Sequence, residues 1–132
     1  MLVLNPDRVT FDGQDWEGVS SVEVNRFGER VVVEYADAGP HAVFADVPEQ
    51  KVTVRVVQDL AGDDLDGPVP GAMGELAFEV GANASGARRL EGLVTGVVTS
   101  VKYSVAARGA AQRTVWLAAV SSDGVSDPVE VS

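Results

Sequence analysis

Apolar and polar residues alternate with period two along much of the chain, the pattern of β-strands with one buried face. Lys51-Val52-Thr53-Val54-Arg55-Val56 alternates throughout, and in Glu75-Leu76-Ala77-Phe78-Glu79-Val80 the residues Leu76, Phe78 and Val80 share one face. Val22-Glu23-Val24 continues the theme within a strand from Val19, and Val31-Val32-Val33-Glu34-Tyr35 is a β-branched run ended by Asp37-Ala38-Gly39-Pro40. Val9-Thr10-Phe11 leads into the turn pair Asp12-Gly13, Phe27-Gly28 reads as a break between two strands, and a strand from His41 to Val47 ends at Pro48. The longest strand is predicted over Val94 to Ala107. Its parity places Val97, Thr99, Val101, Tyr103 and Val105 on one face and Val98, Ser100, Lys102 and Ser104 on the other. A turn at Gly109 returns the chain into Gln112 to Val120, with Val115, Leu117 and Ala119 opposite Trp116 and Val120, so these two segments form a hairpin. A turn at Ser121-Ser122-Asp123-Gly124 and a short strand Val129-Glu130-Val131 complete the pattern.

Between these runs, residues 62–74 hold three acids and the prolines Pro68 and Pro70, which forbid a central strand or a stable helix and predict a long surface loop. Ser85 is positioned to cap one helical turn over Ala87 to Glu91, between Gly86 and Gly92. The expected fold class is therefore all-β: a β-sandwich or barrel of about eight strands, with a long hairpin and at most one short helix. Residues 1–132 read as a single β domain, since neither a linker nor a long-period repeat divides them. Sheets of this kind expose edges, and assembly with other subunits is one way to cover them.

Composition sharpens this picture. The 132 residues are 45% hydrophobic, enough for one core, and Val dominates over the straight-chain helix formers. Cysteine is absent, which removes disulfides, thiolate metal sites and cysteine nucleophiles together. No basic leader or apolar run of spanning length occurs, so neither export nor membrane insertion by this chain is expected. The formal net charge of −10 disfavours binding to phosphates or to anionic lipid. That charge is uneven: residues 1–80 carry 16 acids and 5 bases, whereas residues 84–120 carry five bases, Arg88, Arg89, Lys102, Arg108 and Arg113, and the single acid Glu91. Opposed regions of this kind let copies of a subunit attract one another, and they nominate Asp63, Asp64, Asp66, Arg88, Arg89, Lys102, Arg108 and Arg113 as subunit-contact residues.

Catalytic chemistry finds no constellation. His41 has no second histidine and no nucleophile elbow accompanies it; Asp63-Asp64-Leu65-Asp66-Gly67 lacks the alternation and distal Glu of a calcium loop. Glu75 and Glu79 share a strand face in the manner of many solvent-facing pairs, and Gly92 and Gly96 lack the Lys-Ser/Thr of a phosphate loop. Asn83-Ala84-Ser85 matches a glycosylation acceptor with no leader to bring it to that machinery. Trp16, Trp116, Tyr35 and Tyr103 would form a contact platform only if they converged; core positions are the alternative. No enzyme activity, cofactor or metal is expected.

The acidic, proline-containing loop from Asp63 to Pro68, the strand Leu76-Ala77-Phe78-Glu79-Val80 after it, and the hairpin of Gly92 to Val105 with Arg113-Thr114-Val115-Trp116-Leu117 together resemble the tail tube proteins of bacteriophages and related contractile injection systems. The resemblance covers about half of the chain and is one of pattern. It implies a structural subunit that forms hexameric, stacked rings with copies of itself and meets other tail, sheath or baseplate proteins. An acidic lumen would pass DNA as non-sticking cargo, in a virion tail assembled in the host cytoplasm. Many tube proteins carry a distinct helix where this chain offers only residues 87–91, which leaves open a baseplate or tube-end component of the same fold. A second resemblance, of Trp116 to Pro128 to the end of a fibronectin type III domain, implies instead a protein- or carbohydrate-binding module of a secreted protein. The early Trp and central Tyr of that family have no match in the first half.

Overall fold

A computed structural model describes residues 2–4, 6, 8–60, 67–80, 90–105 and 111–131. Its elements are β1 (Leu2–Leu4), β2 (Arg8–Phe11), β3 (Gln14–Asp15), β4 (Val19–Tyr35), β5 (Ala42–Leu60), β6 (Met73–Val80), β7 (Leu90–Val105), β8 (Ala111–Ala119) and β9 (Val129–Val131). The fold is all-β, and the described residues include no helix. Leu90 and Glu91, expected to end a helical turn, instead begin β7; residues 81–89 lie outside the described part.

All strands belong to one antiparallel sheet of order β1-β4-β5-β8-β7-β6-β2-β3, with β9 pairing to β7 beyond the end of β8. No strand pairing among the described residues joins β3 back to β4, so the sheet does not close into a barrel. The gap is bridged by the chain itself. Trp16, Glu17 and Gly18 run from β3 into β4, and this connector is stitched to β5 by Asp59 N donating to Gly18 O at 2.8 Å and by Gln58 Nε2 donating to Glu17 O at 2.7 Å. Gly18 has φ of 74°, and a side chain there would run into the Asp59 carbonyl, so glycine is required twice over.

One face of the curled sheet forms the core. Val9 and Phe11 of β2, Val22 and Val24 of β4, Val52, Val54 and Val56 of β5, Leu76 and Phe78 of β6, Val94 and Val98 of β7, and Val115 and Leu117 of β8 belong to a single cluster. The alternation read from the sequence is thus realised in β5, β6 and β8. Each fully buried Val or Leu contributes roughly 1.5–3 kcal/mol of transfer free energy. The glycines of β7 serve packing: Gly92 sits directly opposite Phe78, whose ring occupies the space a side chain would need.

Three local expectations change. Phe27-Gly28 does not break a strand; β4 runs through it to Tyr35 with register shifts around Gly28, Arg30 and Val32. Pro48 does not end a strand either, because it lies in an irregular stretch of β5 that β8 does not reach, where a missing N–H costs no ladder bond. The parity of β7 inverts at a β-bulge between Val98 and Ser100. Thr99 is the extra residue and donates its hydroxyl to Trp116 O at 3.2 Å. Before it the even-numbered Val94 and Val98 face the core, and after it Val101 packs there, leaving Lys102 on the outer face.

Candidate subunit interface

The strands β4 and β5 are far longer than the body needs. Beyond the pair Val24 and Val54 they continue as a two-stranded arm to Tyr35 and Ala42, about 35 Å at the usual rise per residue. Asp37-Ala38-Gly39-Pro40 turns the chain at its tip, and His41 stands exposed there. Among the described residues β1 covers β4 only at Leu2–Leu4 opposite 22–24, and β8 covers β5 only from Thr53 onward, so both outer edges of the arm are open. Its side chains are uncovered as well. Phe27, Val31, Val33, Tyr35, Val43 and Phe44 are all exposed, Tyr35 and Val43 to about two-thirds of their surface.

Register divides these residues between two faces. Val32 stands opposite Asp46 and Glu34 opposite Phe44, which puts these four on one side; Val33 opposite Ala45 lies on the other. Charges at the base of the arm are matched: Arg26 with Asp127 at 3.1 Å, Lys51 with Glu29 at 3.8 Å and Arg30 with Glu49 at 3.9 Å, while Lys51 also covers the Phe27 ring at 5.9 Å. Residues 31–48 then carry Glu34, Asp37 and Asp46 with no Lys or Arg.

On the opposite side of the body, an open cleft of ≈ 850 Å³ lies over the connector that bridges the sheet. Its floor is a polar node within the core. Arg113, 4% exposed, places its guanidinium 5.0 Å from the Trp16 ring and donates to Gln58 Oε1, and Trp16 stacks on Phe11 at 5.2 Å. The rim carries Asp12, Asp15, Glu17 and Asp59. No group of three or more histidine or carboxylate side chains suited to a metal occurs among the described residues.

Of the residues nominated from sequence, Asp63, Asp64, Asp66, Arg88, Arg89 and Arg108 lie outside the described part. Lys102 is exposed on the outer face of β7, opposite Thr114, while Arg113 is turned inward and engaged within its own subunit. The four aromatic residues do not form one platform: Trp16 is core, Tyr103 is half-buried on β7 opposite Arg113, Tyr35 is near the arm tip, and Trp116 is half-buried on the outer face of β8, opposite Ser100. Sequence reasoning missed the arm. The available signal was the consecutive Val31-Val32-Val33 and Ala42-Val43-Phe44-Ala45, which are apolar at both parities and so load two faces of a ribbon at once.

At the C-terminal end, Asp123 organises the turn between β8 and β9. Its carboxylate accepts bonds from the backbone N–H groups of Ser126 and Val125, each at 2.8 Å, and from the hydroxyls of Ser126 and Ser121 at 2.8 and 2.9 Å. These donors, the Ser126 amide first, hold its pKa well below the usual carboxylate range.

No family model and no curated protein matches the chain. Among solved structures it is similar to a chain in the tail of an empty GTA (gene transfer agent) particle computed with C6 symmetry, with a TM-score of 0.55 and 12% identity over 83% of this chain and 82% of that one. At that identity the likeness is one of fold: the all-β fold is shared, over most of both chains, with a chain of a phage-like particle tail.

Proposed function

We propose that this chain is a structural subunit of a phage-tail-like particle, associating with copies of itself into stacked rings as a tail tube or tube-end component and doing no catalytic chemistry. The observation that carries this reading is the β4–β5 arm. A two-stranded ribbon is marginal in water on its own, and this one leaves Tyr35, Val43 and Phe44 uncovered together with both of its backbone edges. Such a surface is stabilised by packing against another protein. The likeness in fold to a chain of a C6-symmetric tail supports neighbouring copies as that protein. A net charge of −10 fits a lumen wall that repels phosphates and lets DNA pass, and the ring faces would meet other tail, sheath or baseplate proteins in a particle assembled in the host cytoplasm.

The test is assembly of the purified chain, followed by light scattering across a concentration series and by negative-stain microscopy. Rings or short tubes are expected to appear with rising concentration. A chain that stays monomeric at every attainable concentration and salt condition would overturn the reading.

A further inference from the structure

Charge restricts which surface the arm can meet. Two distal arms laid against each other about a two-fold axis would bring Glu34, Asp37 and Asp46 of one copy against the same acids of the other, with no base on either side. The arm therefore meets a different surface of the next copy, and where such contacts run head to tail they close into a ring. Among the described residues of 84–120 the exposed base is Lys102, and the outer face of the β7–β8 hairpin presents it two positions from Trp116 across the ladder. Lys102 is exposed and forms no ion pair among the described residues, Trp116 is half-buried, and Arg55, opposite Trp116 on β5, is already matched by Glu23 at 3.3 Å.

Resting on the ring-forming reading above, we infer that the acid-bearing face of the distal arm docks on the outer face of the β7–β8 hairpin of a second copy. Phe44 of one copy meets Trp116 of the next, and Glu34 and Asp46 flank Lys102. The aromatic pair supplies the buried anchor, and the carboxylates set direction and register, since reversing the arm would carry them away from Lys102.

Charge reversal tests the contact. Glu34→Lys with Asp46→Lys, and separately Lys102→Glu, alter exposed side chains, so each variant should keep the wild-type circular dichroism and melting curve. Each is expected to raise the concentration for half-maximal assembly about tenfold or more. Mixing the two variants is the decisive arm: the arm of each then meets an acceptor of opposite charge on the other, so the mixture should assemble with the two variants alternating although neither assembles well alone. Combining all three substitutions in one chain restores higher assembly. If the wild type forms rings while both variants form them equally well, or if the mixture assembles no better than either variant alone, the inference fails and the assembling function stands. If the wild type never associates, both fail together.

Discussion

Arg113 shows how a single residue ties the connector to the middle of the sheet. It projects from β8 into the core, bonds Gln58 of β5, and holds its cation against Trp16 of the connector, while Gln58 in turn binds the connector at Glu17. Replacing Arg113 by Met should cost about 2–4 kcal/mol in denaturant unfolding, because Gln58 Oε1 loses a charged donor and Trp16 its cation. An unchanged midpoint would show that the node does not hold the connector. Gly92→Val places a side chain where the Phe78 ring lies, and a loss of about 1–3 kcal/mol is expected in the same assay. Asp123 carries a pH signature. Its folded pKa is depressed, so its contribution is fully present above the unfolded value near 4 and is lost as the pH falls from there through the folded value. The melting-temperature difference between wild type and Asp123→Ala should therefore be constant at neutral pH and shrink steadily below about pH 4. A difference that grows on acidification has the wrong sign for this account.

At the scale of elements, the bulge at Thr99 and the length of the arm matter most. Deleting Thr99 would remove the bulge: Ser100 would then follow Val98 as Trp116 adjoins Leu117 on β8, giving a regular ladder with Val101 still inward and Lys102 still outward. The deleted chain should stay soluble and unfold cooperatively, as should Thr99→Val, which loses only its hydroxyl bond to Trp116; loss of folded protein on deletion would show that the local twist of the bulge is itself required. The arm should behave as the least protected part of the monomer. In hydrogen exchange, amides of 31–35 and 42–47 should exchange much faster than those of 53–57, which β8 covers, and should gain protection when assembly occurs. Equal protection in the dilute monomer would mean that the arm is already covered by its own chain.

For the molecule as a whole, charge and curvature act together. The sheet curls until a three-residue connector can bridge its ends, which leaves one covered face for the core and projects the surplus length of β4 and β5 outward as the arm. With a net charge of −10, the chain should give no anisotropy change with labelled duplex DNA at physiological salt, assembled or not. Saturable binding under those conditions would contradict an inert acidic wall.

The all-β class, the turn at Asp12-Gly13, the buried parity of β5, β6 and β8, the β7–β8 hairpin and the closing strand at Val129 were all legible from residue order, because side-chain alternation and turn chemistry are local properties. Asp12 and Gly13 adopt φ of 52° and 83°, the left-handed pair that such a hairpin turn demands. Other features were not local. Phe27-Gly28 and Pro48 read as boundaries, yet whether a strand continues through a glycine or a proline depends on what its partner strand does, and here β4 and β5 carry each other past both. The β7 bulge was hidden for the same reason, since an extra residue is defined only against the strand it opposes. The apolar content of residues 31–45 was visible in sequence, but sequence could not say that the body would end at Val24 and Thr53 and leave that content uncovered. Pattern thus determined which residues want burial; only the tertiary arrangement decided which of them this chain can bury alone and which it must offer to another.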